Sequence, residues 1–267
     1  MNFEQYEIEL LTATLCHGAA PKEEAELRVP SIRGQLRRWH TVLWGQQSTN
    51  ECWGFVPQHG GKSGQASKVV IRLQEKKTST QKFRLLPHKT WHGQSPGIPM
   101  EEVFKMLVSY RYLKQEEEQA VMDKVRATIK IWLLLGTLGL RGSRAFGSVW
   151  DKRSRYSTPQ AFLDTVANIL RSSQYGQKYH VQLLKLEKPS ARGDELMKIC
   201  TNTVGGSPAL LGGITPRRQI SPLKMKFVDI GGMYYLALHA KNKDIVEKGR
   251  ELLKDKPVGK CTIVATL

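Results

Sequence analysis

The spacing of apolar residues changes in a fixed order along the chain, and that order limits the fold more than any single motif. YEIELLTATL (residues 6–15) places Ile8, Leu10 and Thr12 on one side of an extended strand. After the loop CHGAAPKEEAELRVP, the residues Ile32, Leu36, Trp39 and Leu43 recur at helical spacing. Ser31, behind Pro30, is the expected N-cap of that helix, and Gly45 its expected end. KVVIRLQ (68–74) and KFRLLP (82–87) read as strands joined by a polar turn, and PHKTWHGQSPGIP (87–99) as a loop. Helices are expected at 101–112, at 116–135 and at 159–171, with a strand at YHVQLLKL (179–186). LKMKFVDIGGMYYLALHA (223–240) predicts a hairpin turning at Gly231-Gly232, followed by a helix at 243–254 and a last strand at 260–266. Strand, helix, hairpin, helix, strand is the order of a ferredoxin-like βαββαβ core, an α+β fold, and the remaining length leaves room for a degenerate second ferredoxin-like half.

Charge narrows the partners. Of the 267 residues, 41 are Lys or Arg and 24 are Asp or Glu, a net charge of +17. Such an excess repels itself and points to a polyanion. The acidic, amphipathic opening MNFEQYEIEL is unlike a secretory signal, and the apolar run IWLLLGTLGL is too short to span a bilayer. Cys16, Cys52, Cys200 and Cys261 are scattered without a C-x-x-C pair, which predicts reduced thiols and a cytoplasmic protein with no membrane partner.

The cations gather in two glycine-bearing stretches. PSIRGQLRRWHTVLWG (30–45) carries Arg33, Arg37 and Arg38 in the first turns of a helix, where the backbone dipole already presents positive charge. A negative group is therefore expected beside them. GTLGLRGSRAFGSVW (136–150) sets four glycines around Arg141 and Arg144, with backbone N–H groups able to receive phosphate oxygens. The plainer reading of this stretch is a helix C-cap with solvated charges. HGGKSG (59–64) ends like a phosphate-hydrolysis loop, but Val56 stands where its first glycine is required. His88 and His92 have a ligand spacing inside a loop of turn residues, and Cys52 and His59 lack partners at zinc spacings, so neither metal nor cofactor is expected. His17 or His40 could serve acid–base RNA cleavage, although a lone histidine near a helix is more often a packing or phosphate contact.

Four blocks carry a resemblance: LTATLCHGAAP…ELRVPSIRGQLRRWH, ASKVVIRL, LLLGTLGLRGSRAFGSVW and SPLKMKFVDIGGMYYLAL. Together they resemble the RAMP superfamily (repeat-associated mysterious proteins), subunits of RNA-guided CRISPR effector complexes, and within it the first-numbered RAMP subunit of the Cmr module of type III systems. The resemblance implies one RRM-like domain over 1–267 with excursions at 54–67, 87–100 and 204–222; those at 54–67 and 204–222 are long for a compact domain, so they are expected to reach RNA or a neighbouring subunit. It implies guide CRISPR RNA, target RNA or DNA paired with it, and other RAMP-type subunits as partners. Ser31, Arg33, Gly34 and Arg37 match the family's helix-opening segment, and Gly142, Arg144, Phe146 and Gly147 its glycine-rich loop. With His17, Arg38, Arg141, Ser143, Arg217 and Arg218 these, Gly147 apart, are the expected RNA-binding residues. Gly34 would let the RNA backbone approach closely, while Trp39, Trp44 and Trp132 belong to the core.

One departure bears on catalysis. Superfamily members that cut target RNA use an aspartate in the loop between the first strand and first helix; the corresponding loop here holds Glu23, Glu24 and Glu26, and the chain has no aspartate before Asp123. The expected role is therefore a non-catalytic subunit that binds guide RNA, against two alternatives: a RAMP endoribonuclease, and a basic RNA-binding scaffold unrelated to CRISPR. The compact length also leaves open a repeated backbone subunit of a less familiar system.

Overall fold

A computed structural model describes residues 3–57, 64–74, 78–84, 93–186, 200–201, 221–254 and 261–267. The first half runs β1 (Glu4–Leu10), α1 (Val29–Trp53), β2 (Val69–Leu73), β3 (Gln81–Arg84), β4 (Gln94–Gly97), β5 (Val103–Tyr110), α2 (Glu118–Leu135) and β6 (Val149–Asp151). Its sheet has the order β2-β5-β1-β6, every neighbour antiparallel, while β3 and β4 form a separate small hairpin. Without that inserted hairpin this is the ferredoxin-like arrangement. A linking helix, α3 (Pro159–Ser172), leads to β7 (His180–Leu186), β8 (Lys224–Ile230), β9 (Met233–Ala240), α4 (Lys243–Lys254) and β10 (Cys261–Thr266). The second sheet has the order β10-β7-β9-β8, also antiparallel, so the same strand order occurs twice.

Alternation along the strands decides where each sheet packs. In the first, Ile8 and Leu10, Phe104, Met106 and Val108, and Val69 and Ile71 point into the core shared with Ile32, Leu36, Leu43, Val125, Ile129 and Trp132 of the two helices. The second sheet is buried on both faces. Val181, Leu183, Val228, Ile230, Tyr235 and Ala237 join that same core, while Leu184, Met225, Phe227, Leu236 and Leu238 pack on Ile245, Val246 and Leu253 of α4. One continuous apolar cluster thus joins the two halves.

Three expectations are corrected. Residues 101–112 are not a helix: Val103–Tyr110 is the strand between β1 and β2, because the inward side chains repeat every second residue and both neighbours supply hydrogen-bonding partners. The strands near 70 and 82 do not pair with each other, since β2 pairs with β5 and β3 with β4, a strand inside the stretch 87–99 expected to be a loop. Gly45 does not end the first helix but breaks it, at φ 81 and ψ 173, and a second arm runs to Trp53. That backbone conformation is open to glycine alone. The ring of Tyr175 also covers it, so an added Cβ would meet Tyr175 Cε2 at 2.7 Å. Gly45→Ala should therefore lower the unfolding free energy by about 1–3 kcal/mol in a urea titration.

Candidate nucleic-acid interface

The helix-opening segment divides by face. The N-cap of α1 is Arg28, with no side-chain cap, and Ser31 lies within the first turn rather than at the cap. Ser31, Gly34 and Arg38 are exposed on one stripe, and a Cβ built on Gly34 would meet nothing within 4 Å. Arg33 and Arg37 are half-buried on another side. Arg33 Nη2 donates to Trp53 O at 2.5 Å, and Arg37 Nη1 donates to Trp53 O at 3.0 Å and Gly54 O at 2.5 Å. Because the chain turns back at Gly45, the negative end of its own second arm sits against the arginines of the first. Burial lowers the Arg33 pKa, as do Arg37 and Arg111, both positive neighbours.

The glycine-rich loop follows α2. Gly136 closes that helix, its N–H donating to Trp132 O at 2.6 Å. Gly142–Arg144 forms a single 3₁₀ turn between Arg141 (φ 57) and Ala145 (φ 63), two non-glycine residues in the left-handed region. Ala145 O accepts from Thr12 Oγ1 at 2.6 Å and from Ser148 Oγ at 2.9 Å, while Ser148 Oγ accepts from Phe227 N at 3.1 Å. The loop is thereby tied to both halves, and this network holds Ala145 in its strained conformation. Gly139 is needed for packing inside the protein, since a Cβ there would lie 2.6 Å from Leu15 O. Phe146 is buried against Leu15 and Phe83, so its ring is a core element. Gly142 and Ser143 are half-buried and Arg144 is buried, where it donates from Nη1 to Ser143 O and Ser221 Oγ, both at 3.2 Å. Arg144 is thus not the solvated charge of a plain helix end.

The two stretches meet at a third cation. Lys224, at the start of β8, is buried and donates to Ser221 O at 2.6 Å. Its pKa is lowered to about 8 by burial and then by Arg38 and Arg144, so a residue from each stretch lies within electrostatic reach of it. Lys226 and His239, on the same face of the second sheet, hold the end of α2. Lys226 Nζ donates to Leu133 O, and His239 bonds Leu135 O and Tyr179 OH. Burial lowers the pKa of both well below the ordinary range. Trp39 packs on Tyr179 and His239, with ring centroids 5.6 and 5.8 Å away. Trp132 is fully buried, and Trp44 is half-buried beside Lys124. Sequence reasoning missed Lys224, Lys226 and His239; the visible signal was two lysines at alternate positions of a strand whose other residues, Asp229 apart, are apolar.

His17 Nε2 is within 2.7 Å of Ser95 Oγ and 3.2 Å of Pro96 O, which anchors the β3–β4 hairpin. His40 is buried between Thr128 Oγ1 at 3.0 Å and Ser48 Oγ at 3.1 Å, and burial pushes its pKa down to about 3. It is a structural histidine, not an acid–base group. Glu23, Glu24 and Glu26 are exposed, and no group of three His, Cys, Asp or Glu side chains among the described residues could hold a metal. Among those residues no helix is long and apolar enough to cross a membrane. Arg217, Arg218, most of the 204–222 excursion, the Gly-Lys-Ser stretch and the His88–His92 pair lie outside the described residues.

The family model of the RAMP superfamily matches residues 7–150, from β1 through the glycine-rich loop to β6. The chain belongs to the RAMP superfamily. No protein in the curated comparison matches the sequence. Among solved structures, this RAMP protein is similar to Cmr1 from Pyrococcus furiosus in its apo form, at 18% identity over 90% of this chain and 88% of that one, with a TM-score of 0.58. It is also similar to a chain of the type III-B Cmr-beta complex bound to cognate target RNA and AMPPnP in the presence of ssDNA, at 10% identity over 94% and 98% of the two chains, with a TM-score of 0.59. At these identities the likeness is one of fold, and it extends across both ferredoxin-like halves of this RAMP chain.

The arginines of α1 should separate by stability. Arg37→Ala, which removes the donor to Gly54 O and one of the two to Trp53 O, should cost about 1–2 kcal/mol in denaturant unfolding, whereas Arg38→Ala, at an exposed position, should not lower stability. A second expectation concerns pH. With its folded pKa near 3 against an unfolded value near 6.5, His40 binds more protons when unfolded, so its environment favours folding above pH 6.5 and loses that advantage as pH falls toward 3. Between pH 7 and 5 the loss should be roughly 2 kcal/mol. In His40→Gln that component of the unfolding-against-pH curve should vanish.

Proposed function

We propose that this chain is a non-catalytic guide-RNA-binding subunit of a CRISPR RNA-guided effector complex, holding RNA phosphates and packing against neighbouring RAMP-type subunits. The observation that carries the reading is a group of cations from three separate stretches of a chain whose net charge is +17: Arg144 and Lys224 both bond Ser221, and Arg38 lies within electrostatic reach of Lys224. Exposed Arg38 and the two buried cations are like charges that raise each other's cost, and a polyanion on the exposed side relieves it. Gly34 supports the same reading. It costs α1 about 1 kcal/mol relative to alanine, and no packing inside the protein requires it, so the exposed stripe Ser31–Gly34–Arg38 suits close approach of a phosphate strand. The target strand, RNA or DNA, is then read by base pairing with the guide, while the protein holds shape and phosphate. The similar Cmr-beta chain comes from an assembly bound to cognate target RNA, which fits this role.

Binding of several labelled guide RNAs across a salt series tests the reading. Arg38→Ala and Arg141→Ala should each weaken all guides about equally and reduce the log–log salt slope by roughly 0.7–0.9. Gly34→Ala should raise stability by about 1 kcal/mol yet weaken binding, a pair of effects that a purely structural glycine would not produce. Unchanged binding in all three variants would remove RNA from this face. Adding complementary target with and without magnesium addresses the endoribonuclease alternative, because cleavage abolished by Glu23→Ala or His17→Ala would overturn the non-catalytic assignment.

A further inference from the structure

A second patch lies on the Arg33 and Arg37 side of α1. Tyr112, in the turn between β5 and α2, is 72% exposed, and its backbone is in the left-handed region at φ 56. A bulky side chain there is strained, and its exposure means that core packing does not account for it. Arg111 holds the ring from one side. Its guanidinium lies 5.1 Å from the ring centroid while its Nε donates to Ser67 O at 2.9 Å and its N–H to Lys68 O at 2.9 Å. Arg111 also acts electrostatically on Arg33, which has Arg37 as its other positive neighbour. Arg33 and Arg37 place a few of their ten N–H donors on Trp53 O and Gly54 O. The next residue, Phe55, is 38% exposed. Glu117, which accepts from Lys114 N in this turn, is engaged by Lys68 at 2.6 Å.

We propose that Tyr112 is a stacking platform for an unpaired RNA base, with Arg111, Arg33 and Arg37 receiving the flanking phosphates. The inference rests on the guide-RNA reading and deepens it, because the seam around Lys224 offers charge whereas this patch adds an exposed, fixed aromatic face. Alternation of cations with exposed aromatic rings is the chemistry by which proteins hold single-stranded nucleic acid, the ring taking a base and the cations the backbone. A preset ring loses little freedom when a base settles on it.

The test uses the full chain and single-stranded 20-nucleotide RNAs carrying 2-aminopurine at successive positions. In the wild type and in Tyr112→Phe, emission should change on binding at one or more positions; in Tyr112→Ala that change should be absent and affinity lower by about five-fold or more. Tyr112→Ala should unfold at the same denaturant concentration as the wild type, since the side chain is exposed, and should bind fully paired RNA unchanged. Wild-type affinity and emission in Tyr112→Ala would overturn the stacking assignment while leaving the guide-RNA reading intact. Loss of subunit assembly in Tyr112→Ala with unaltered RNA binding would assign the ring to a protein contact and also overturn it. Failure of the wild type to bind any of the RNAs would remove the guide-RNA reading and the stacking site together.

Discussion

The carbonyl ends of two helices, each met by cationic side chains or by an imidazole, organise this molecule. At the end of α2, Leu133 O and Leu135 O are taken by Lys226 and His239 from the second sheet. Those carbonyls have no partner within the helix, and Lys226 and His239 supply the donors that they would otherwise lack in a buried setting. The contact seats α2 on the second ferredoxin-like half and so fixes where the chain emerges at Gly136. Everything from Gly136 to Ser148 is then built from that point, pinned by Thr12, Ala145, Ser148 and Phe227.

A parallel arrangement shapes α1. Its break at Gly45 folds the second arm back so that Trp53 O and Gly54 O lie against Arg33 and Arg37. These two arginines therefore have a structural task, and Arg38, one residue further round the helix, is the cation left on the exposed stripe with Gly34. The division explains how a single motif can both stabilise a kinked helix and present charge outward. It also separates two cationic regions, one around Lys224 at the seam of the halves and one around Arg111 at the rim of the first sheet.

Much of the architecture was legible in the residues. The long helices at 118–135 and 159–172, the hairpin at Gly231-Gly232 and the closing strand follow from apolar spacing. Val103–Tyr110 was misread because a short apolar run carries helical and extended spacing alike, and only pairing with β1 and β2 decides between them. Among the expected RNA-binding residues, Ser31, Gly34 and Arg38 are exposed, whereas Phe146 is packed inside, and several glycines of its loop serve contacts within the protein. Spacing along a chain does not distinguish a glycine that admits a ligand from one that admits a neighbouring strand.

What the sequence determined by itself was the class of the fold, the excess of positive charge and the two segments that carry most of its marked residues, because periodicity and charge are local properties that survive without coordinates. What only the tertiary structure decided was the company each cation keeps. Arg38, Lys224 and Arg144 are up to 186 residues apart in the chain, and no local signal relates them. They meet because two sheets share one apolar core, and the burial of that core sets which backbone carbonyls and which charges are forced together.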